Sequence, residues 1–172
     1  MSTRSFPFHQ ASSSLARGSP DSVFSYLDDP KTLATHMGES SMMMLGSHMS
    51  IDVDADDGRV IGSIIRMRGR IMGIPLALEE VITERQPPNR KVWETIGTPK
   101  LLVMAHYRMG FELTPKGEVT TVRVFIDYSL PTAAPGLWLG RVLGPVYARW
   151  CTKQMADDVA RQFDSARLTH HT

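Results

Sequence analysis

The order of the predicted elements constrains the fold of this chain more than any other feature. A short helical patch at 19–37 precedes an almost unbroken series of strand-like segments from about 49 to 130. A long amphipathic segment, from about 135 to 166, then closes the chain. Tight turns separate the strand-like segments, which favours an antiparallel meander because parallel strands need long crossovers. One such turn is predicted at Asp56-Asp57-Gly58, between strands predicted at 51–55 and 60–70. One helix covers so large a sheet only if the sheet curls, so we expect an α+β fold: a curved antiparallel sheet of about seven strands around a long C-terminal helix, with two short helices after strand 1.

Alternating hydrophobicity indicates which side of the sheet is buried. Three arginines at 66, 68 and 70 alternate with apolar residues, and we expect them on the outer face, paired with Glu79, Glu94 or Glu112. The last two strand-like segments show the clearest alternation, as expected when only one face is covered. Their inward residues are predicted to be Val103, Ala105, Tyr107, Met109, Phe111 and Leu113 in one segment, and Val122, Val124, Ile126 and Tyr128 in the next.

The closing segment has an apolar stripe at helical spacing. Apolar residues recur every three or four positions, and charged residues occupy much of the remainder. We therefore expect the stripe to face the sheet, and Pro145 to kink the helix because it lacks a backbone donor. The stripe consists of Leu139, Val142, Leu143, Val146, Tyr147, Trp150, Met155, Val159 and Phe163.

Length and composition indicate one globular domain. The chain has 172 residues, of which 42% are hydrophobic and 22% charged. We place the domain at 6–168, with flexible tails at 1–5 and 169–172. A net charge of +1 gives no broad attraction to nucleic acid. No stretch approaches the ~20 apolar residues of an integral membrane helix, and the N-terminus has no apolar leader. The single cysteine, Cys151, fits a cytoplasmic location.

No motif for a metal or cofactor is present. Asp52, Asp54 and Asp56 lack the glycine and glutamate that a calcium loop requires, so they indicate a solvated hairpin tip. The histidines lack ligand spacing, and no phosphate or dinucleotide loop occurs. Cys151 lies beside the apolar stripe, which favours a buried thiol over a nucleophile. We therefore expect no cofactor and no metal.

Three local motifs point to a family. They are SPDSVFSYLDDP at 19–30, EVITERQPPNR at 80–90 and FELTPKGEVTTV at 111–122. With the element order, they make residues 8–166 resemble the START-like (SRPBCC) superfamily, the helix-grip or Bet v 1-like fold. The chain is most similar to its polyketide cyclase/dehydrase and lipid-transport branch. The resemblance implies an internal cavity, but the superfamily shares no universal catalytic motif, so the catalytic residues are unknown. The chain departs from many relatives near 33–37, where His36 stands in place of a frequent tryptophan.

The predicted cavity defines a candidate ligand site. The methionines at 42–44 fall where the resemblance places the cavity mouth; the alternatives are a packed loop or a homodimer contact. An apolar pocket with a few converging polar groups is how small-molecule sites are built. The candidate ligand-binding residues are Phe24, Leu27, His36, Met44, Trp93, Ala105, Tyr107, Met109, Val124, Ile126, Tyr128, Leu143, Tyr147 and Trp150.

Three functions are compatible with this reading. The first is binding of a hydrophobic or aromatic small molecule, such as a lipid, polyketide or quinone-like compound, in the cavity. The second is an aromatase, cyclase or dehydratase in which Tyr107, Tyr128 or His36 orients or protonates the substrate. Because the inward candidates are mostly phenols with an intrinsic pKa near ~10, binding is favoured over catalysis. The third is a protein-interaction module, as in co-chaperone relatives.

Overall fold

A computed structural model describes residues 4–29, 49–71, 74–101, 103–132 and 136–165. The elements follow the order expected from the sequence. They are β1 (Phe8–Ala16), α1 (Pro20–Leu27), β2 (Met49–Val53), β3 (Ile64–Ile71), β4 (Ile74–Gln86), β5 (Arg90–Lys100), β6 (Tyr107–Lys116), β7 (Val119–Tyr128) and α2 (Gly136–Ser165). The second short helix predicted at 31–37 lies outside the described residues.

All seven strands form one antiparallel sheet in the order β1-β7-β6-β5-β4-β3-β2. The strands from β2 to β7 form the expected meander. The first strand of the chain, β1, pairs with β7 and forms one edge of the sheet. Helix α2 packs against β1 and β7. Two serines of β1 form hydrogen bonds with α2. Ser12 Oγ lies 2.9 Å from Thr152 Oγ1, and Ser14 Oγ donates to the Ala156 carbonyl at 2.6 Å. Two of the serines of β1 thus hold this strand against α2 through hydrogen bonds.

The Asp57–Gly58 turn matches the sequence, but two strand boundaries do not. Asp57 and Gly58 have positive φ angles of 52° and 68°, as the turn prediction requires. The strand predicted to begin at residue 60 begins instead at Ile64. The Asp54 carboxylate accepts hydrogen bonds from the Ser63 hydroxyl and the Ile64 backbone N–H, which holds the intervening residues in a loop. Val103 and Ala105, predicted as inward strand residues, lie in the loop before β6, which begins only at Tyr107.

Helix α1 begins and ends where the sequence indicates. Ser19 caps it by accepting from the Ser22 N–H, and Pro20 occupies its first turn. Its C-terminus is tied to the sheet by Asp28, whose carboxylate accepts from Arg85 at 2.8 Å and from Lys91 Nζ at 2.6 Å. Burial acts to raise the pKa of Asp28, but the hydrogen bonds from Arg85 and Lys91 outweigh it and lower that pKa. Burial lowers the pKa of the Lys91 ammonium, which is almost fully enclosed.

The prediction for the N-terminal half of α2 was wrong. Leu139, Val142, Leu143 and Val146 are exposed, and the helix buries Gly140, Gly144 and Ala148 against the sheet instead. A Cβ added to Gly140 would lie 3.0 Å from the Val103 carbonyl oxygen and from Pro131 Cδ. The chain at 103 and 130–131 therefore approaches the helix too closely for large side chains. The C-terminal half behaves as expected, since Met155, Val159 and Phe163 pack into the core.

The outer face of the sheet carries one of the expected ion pairs, Arg66 with Glu79, whereas Glu94 and Glu112 pair with arginines other than those predicted. Arg66 Nε lies 2.9 Å from a Glu79 carboxylate oxygen directly across β3 and β4. Glu112 pairs with Arg90 and Arg123, whose guanidinium groups also lie over the Phe125 ring. In the described part of the chain, no helix is long and apolar enough to cross a membrane.

Candidate functional site

A buried carboxyl group lies on the inner face of the sheet. Glu80 occupies the middle of β4, on the same face of the strand as the inward Leu76 and Ile82. Only 3% of its surface is exposed. This residue was not predicted from the sequence, where the polar groups expected on the inner face of the sheet were mainly phenols. The signal was present, because alternate residues of a strand share a face, and Glu80 lies two positions before Ile82.

Two neighbouring strands supply hydrogen-bond donors to this carboxyl. The Tyr107 hydroxyl, at the start of β6, donates to Glu80 Oε1. The Trp93 side chain, on β5 between them, also hydrogen bonds to the carboxyl, and the indole N–H can only donate. Antiparallel pairing of β4 with β5 and of β5 with β6 brings the three side chains to one face. We call Glu80, Trp93 and Tyr107 the carboxyl–phenol site.

The environment shifts the proton equilibria of this site strongly. Burial raises the pKa of the Glu80 carboxyl to about 7, although hydrogen bonds from Tyr107 and Trp93 and the charge of Lys91 oppose the shift. Burial, together with the adjacent Glu80 charge, raises the pKa of Tyr107 well above its usual value. Near neutral pH, the carboxyl therefore exists in both protonation states while the phenol stays protonated.

Helix α2 provides the opposite wall through Tyr147 and Cys151. These residues are one turn apart and share a hydrogen bond, and both lie close enough to Tyr107 to raise its pKa. Burial raises the pKa of the Cys151 thiol to about 12, so it stays protonated. This agrees with the predicted buried thiol and argues against a nucleophile, because the thiolate is the reactive form.

Three side chains beside Glu80 and Trp93 on the inner face retain accessible surface. Tyr107 and Tyr147 are surrounded by protein, yet both retain accessible surface. Met109 faces the helix from the same strand and is also only half-buried. A closely packed interior would leave such side chains little accessible surface. Tyr107 and Met109 pack against two hydrophobic clusters, one around Phe111 and the other around Ile126, and Tyr147 packs against the second.

The other predicted ligand-binding residues occupy several environments. Phe24, Leu27 and Val124 are fully packed, with Phe24 against Phe111 at 5.5 Å between ring centroids. Ile126 and Tyr128 belong to the second cluster, where burial raises the pKa of Tyr128.

Five predicted residues lie away from this core or outside the described residues. Ala105 is half-buried in the loop before β6, and the Trp150 ring lies 5.8 Å from that of Tyr147. Leu143 is 43% exposed and points away from the sheet, which corrects its predicted role as an inward residue. His36 and Met44 lie outside the described residues.

The arrangement suits proton transfer or hydrogen bonding, and it offers no set of metal ligands. Among the described residues, no three His, Cys, Asp or Glu side chains are grouped to hold a metal ion. A carboxyl that titrates near neutral pH can donate or accept a proton, or hold a polar group of a bound molecule.

Comparison with known proteins identifies the family. The model of the polyketide cyclase/dehydrase and lipid transport family matches residues 10–163. The chain belongs to this family. No curated protein matches the chain significantly.

Solved structures of similar fold agree with this assignment. TTHA0849 from Thermus thermophilus is 16% identical, with a TM-score of 0.67 over 92% of this chain and 98% of the other. Norcoclaurine synthase from Thalictrum flavum, in complex with a transition-state analogue, is 15% identical, with a TM-score of 0.66 over 93% and 96%. Major latex-like protein 151 from Panax ginseng is 15% identical, with a TM-score of 0.56 over 91% and 97%. At these identities, the likeness establishes the Bet v 1-like fold and leaves the activity of this family member to its own residues.

Proposed function

We propose that this member of the polyketide cyclase/dehydrase and lipid transport family binds a hydrophobic small molecule between its sheet and α2. The observation that carries the proposal is the accessible surface of Tyr107 and Tyr147, which lie deep in the protein. Apolar walls with a few converging polar groups are typical of ligand sites. Lipid transport in the family description supports an apolar ligand. The cytoplasmic location expected from the sequence stays a prediction.

The chemistry of the site defines the ligand class. Trp93, Met109 and Tyr147 offer aromatic and apolar contact surfaces, and Glu80 offers one polar anchor whose charge depends on pH. A largely apolar or aromatic molecule with a carbonyl or hydroxyl group would satisfy both. The protonated carboxyl donates to a carbonyl oxygen, and the ionised one accepts from a hydroxyl.

Binding is tested with N-phenyl-1-naphthylamine, an uncharged apolar probe whose fluorescence rises on transfer from water. We expect saturable binding that weakens at least about tenfold in Met109→Trp, because the larger side chain fills the space beside Tyr107. Arg108→Trp is the matched control, since it adds the same side chain to the outer face of the same strand. Native mass spectrometry of protein from its source cells should then reveal the natural ligand. Equal probe binding by both variants, or none by the wild type, would refute an interior site.

The titration behaviour of Glu80 favours a second candidate function, acid–base catalysis on such a ligand. A group with a pKa of about 7 is matched to proton transfer at neutral pH. The ionised carboxyl would remove a proton α to a carbonyl group, leaving an enolate, and the acid form would return the proton. This step is common to cyclisation and dehydration of polyketide-like substrates, the reactions named in the family description.

Proton exchange tests this candidate without knowledge of the substrate. Phenylacetone is incubated with the protein in deuterated water, and deuterium at its α-carbon is followed by NMR. We expect exchange that rises with pH around an apparent pKa of about 7 and disappears in Glu80→Gln. Glu79→Gln, which changes the adjacent carboxyl on the outer face, should leave exchange unchanged. Exchange that is equal in the two variants would exclude Glu80 as the base and leave the binding proposal intact.

A further inference from the structure

The N-terminal half of α2 exposes a row of large apolar side chains. Trp138 is 72% exposed, Val142 54% and Val146 57%, and the neighbouring Leu139 and Leu143 are exposed as well. Spacings of three and four residues place these side chains on one side of the helix. We call these five residues the outer α2 face. Single apolar residues are common on protein surfaces, but a contiguous group indicates an interaction site.

Packing on the opposite side prevents this face from turning inward. Gly140 and Gly144 contact the sheet end so closely that an added Cβ would lie 3.0 Å and 3.3 Å, respectively, from the Val103 carbonyl oxygen. Rotating the helix to bury Val142 would therefore force a branched side chain into space that accepts only hydrogen atoms. The outward direction of the apolar residues follows from the close contact of the helix with the sheet.

Charges around the face favour an anionic partner. Between Asp127 and Asp157 the sequence contains no acidic residue, whereas Arg141 and Arg149 lie beside the apolar row, and both are exposed. Arginine side chains can bury their methylene groups in an apolar layer and keep the guanidinium at its charged surface. Tryptophan is enriched where apolar and polar layers meet, as at a membrane interface. This combination is typical of helices that lie in the plane of an anionic membrane surface.

A second copy of the chain fits the face less well. In a symmetric dimer the same patch occurs on both sides of the interface. Arg141 and Arg149 of both copies would then gather at one interface without an acidic partner nearby on the helix, because the first acid after them, Asp157, already pairs with Lys153. Like charges in such a contact weaken it.

We propose that the outer α2 face binds peripherally to an anionic lipid surface. The apolar row enters the boundary between headgroups and acyl chains, and Arg141 and Arg149 contact the anionic headgroups. The same helix presents Tyr147 and Cys151 to the interior, so the lipid surface would lie about one helix diameter, ~10 Å, from the carboxyl–phenol site. The docking itself does not depend on any interior ligand.

Vesicle sedimentation of the full chain tests this proposal. Vesicles of phosphatidylcholine alone are compared with vesicles that also contain phosphatidylglycerol, at low and high salt. We expect binding to the anionic vesicles that weakens with salt, and a loss of at least about tenfold in the triple variant Trp138→Ser, Val142→Ser, Val146→Ser. The double variant Arg141→Gln, Arg149→Gln should retain only the weak binding seen with phosphatidylcholine.

A matched control distinguishes binding through the outer α2 face from nonspecific binding through any exposed apolar side chain. Ile61→Ser removes an apolar side chain that is 65% exposed in the loop before β3, and it should bind vesicles like the wild type. Because every changed residue is exposed, circular dichroism should show unchanged folding, and the arginine variant keeps the test decisive if the triple variant misfolds. Absence of vesicle binding, or binding that both variants retain, would overturn the proposal. So would a dimer in sedimentation equilibrium that the triple variant abolishes, because a second copy would then occupy the face.

Discussion

Among individual residues, Glu80 couples proton binding to folding. Its pKa is raised from 4.5 to about 7 in the folded protein, so the folded state binds more protons than the unfolded state between these values. The contribution of Glu80 to the free energy of unfolding is therefore fully present below a pH of about 4.5, falls as the pH rises, and is lost above about 7. A shift of this size corresponds to about 3 kcal/mol in the free energy of unfolding.

Replacing Glu80 by glutamine should remove this pH dependence. Between pH 5 and 8, we expect the free energy of unfolding in urea to fall less in Glu80→Gln than in the wild type. The two declines should differ by about 3 kcal/mol. Glu79→Gln is the control, because its carboxyl lies on the outer face beside Arg66 and should leave the slope unchanged. If the two variants showed the same slope, Glu80 would not be the group responsible.

Replacing either partner of the buried Asp28–Lys91 ion pair should lower the free energy of unfolding by a different amount. Asp28 keeps Arg85 when Lys91 is replaced, but Lys91, 2% exposed, loses its carboxylate partner when Asp28 is replaced. An uncompensated buried charge costs about 3–5 kcal/mol. We therefore expect Asp28→Asn to lower the free energy of unfolding by that amount and Lys91→Met to lower it clearly less. Chemical denaturation measures both, and the reverse order would contradict the arrangement.

At the scale of elements, α2 shows how a helix can bury its small residues. We expect Gly140→Leu to destabilise the protein by about 1–3 kcal/mol, because its side chain would collide with Val103 and Pro131. This would occur although leucine favours a helix by about 1 kcal/mol over glycine. Leu143→Ala, on the exposed side, should change stability by at most about 0.5 kcal/mol.

The two α2 variants also distinguish the observed orientation from the one expected from sequence. If the predicted apolar stripe faced the sheet, Leu143→Ala would create a cavity and cost about 2–5 kcal/mol. Thermal and urea unfolding of both variants therefore test the orientation of the helix independently of any ligand.

For the whole molecule, an interior ligand should raise the free energy of unfolding. N-phenyl-1-naphthylamine at one hundred times its Kd should add about 2.7 kcal/mol, provided that it binds only the folded state. For a chain of this size, such a gain raises the Tm by about 5–10 °C. Differential scanning calorimetry measures the shift, which should be nearly absent in Met109→Trp and retained in Arg108→Trp. A shift of equal size in both variants would place the probe elsewhere.

Local signals in the sequence predicted much of the architecture. The Ser19–Pro20 start of α1, the Asp57–Gly58 turn and the alternation from Tyr107 through β6 and along β7 were predicted correctly, since each depends on neighbours along the chain. The cross-strand pair of Arg66 and Glu79 was also expected, because strand parity and short turns define which residues face each other. Family membership followed from the same signals.

The candidate site was predicted only in part. Trp93, Tyr107 and Tyr147 were identified, and Glu80 was not, because an acidic residue in a strand is usually solvated. Its buried position depends on Trp93 and Tyr107 from two other strands, and no local pattern reveals those partners.

Chain order, periodicity and turn chemistry by themselves determined the sheet, its curvature around one helix and the buried side of β6 and β7. Only the tertiary structure decided which side of α2 faces that sheet and which protonation states Glu80 adopts. Both depend on distances between segments far apart in sequence: the approach of Val103 and Pro131 to Gly140 excludes large side chains, and enclosure by three strands removes water from a carboxyl group.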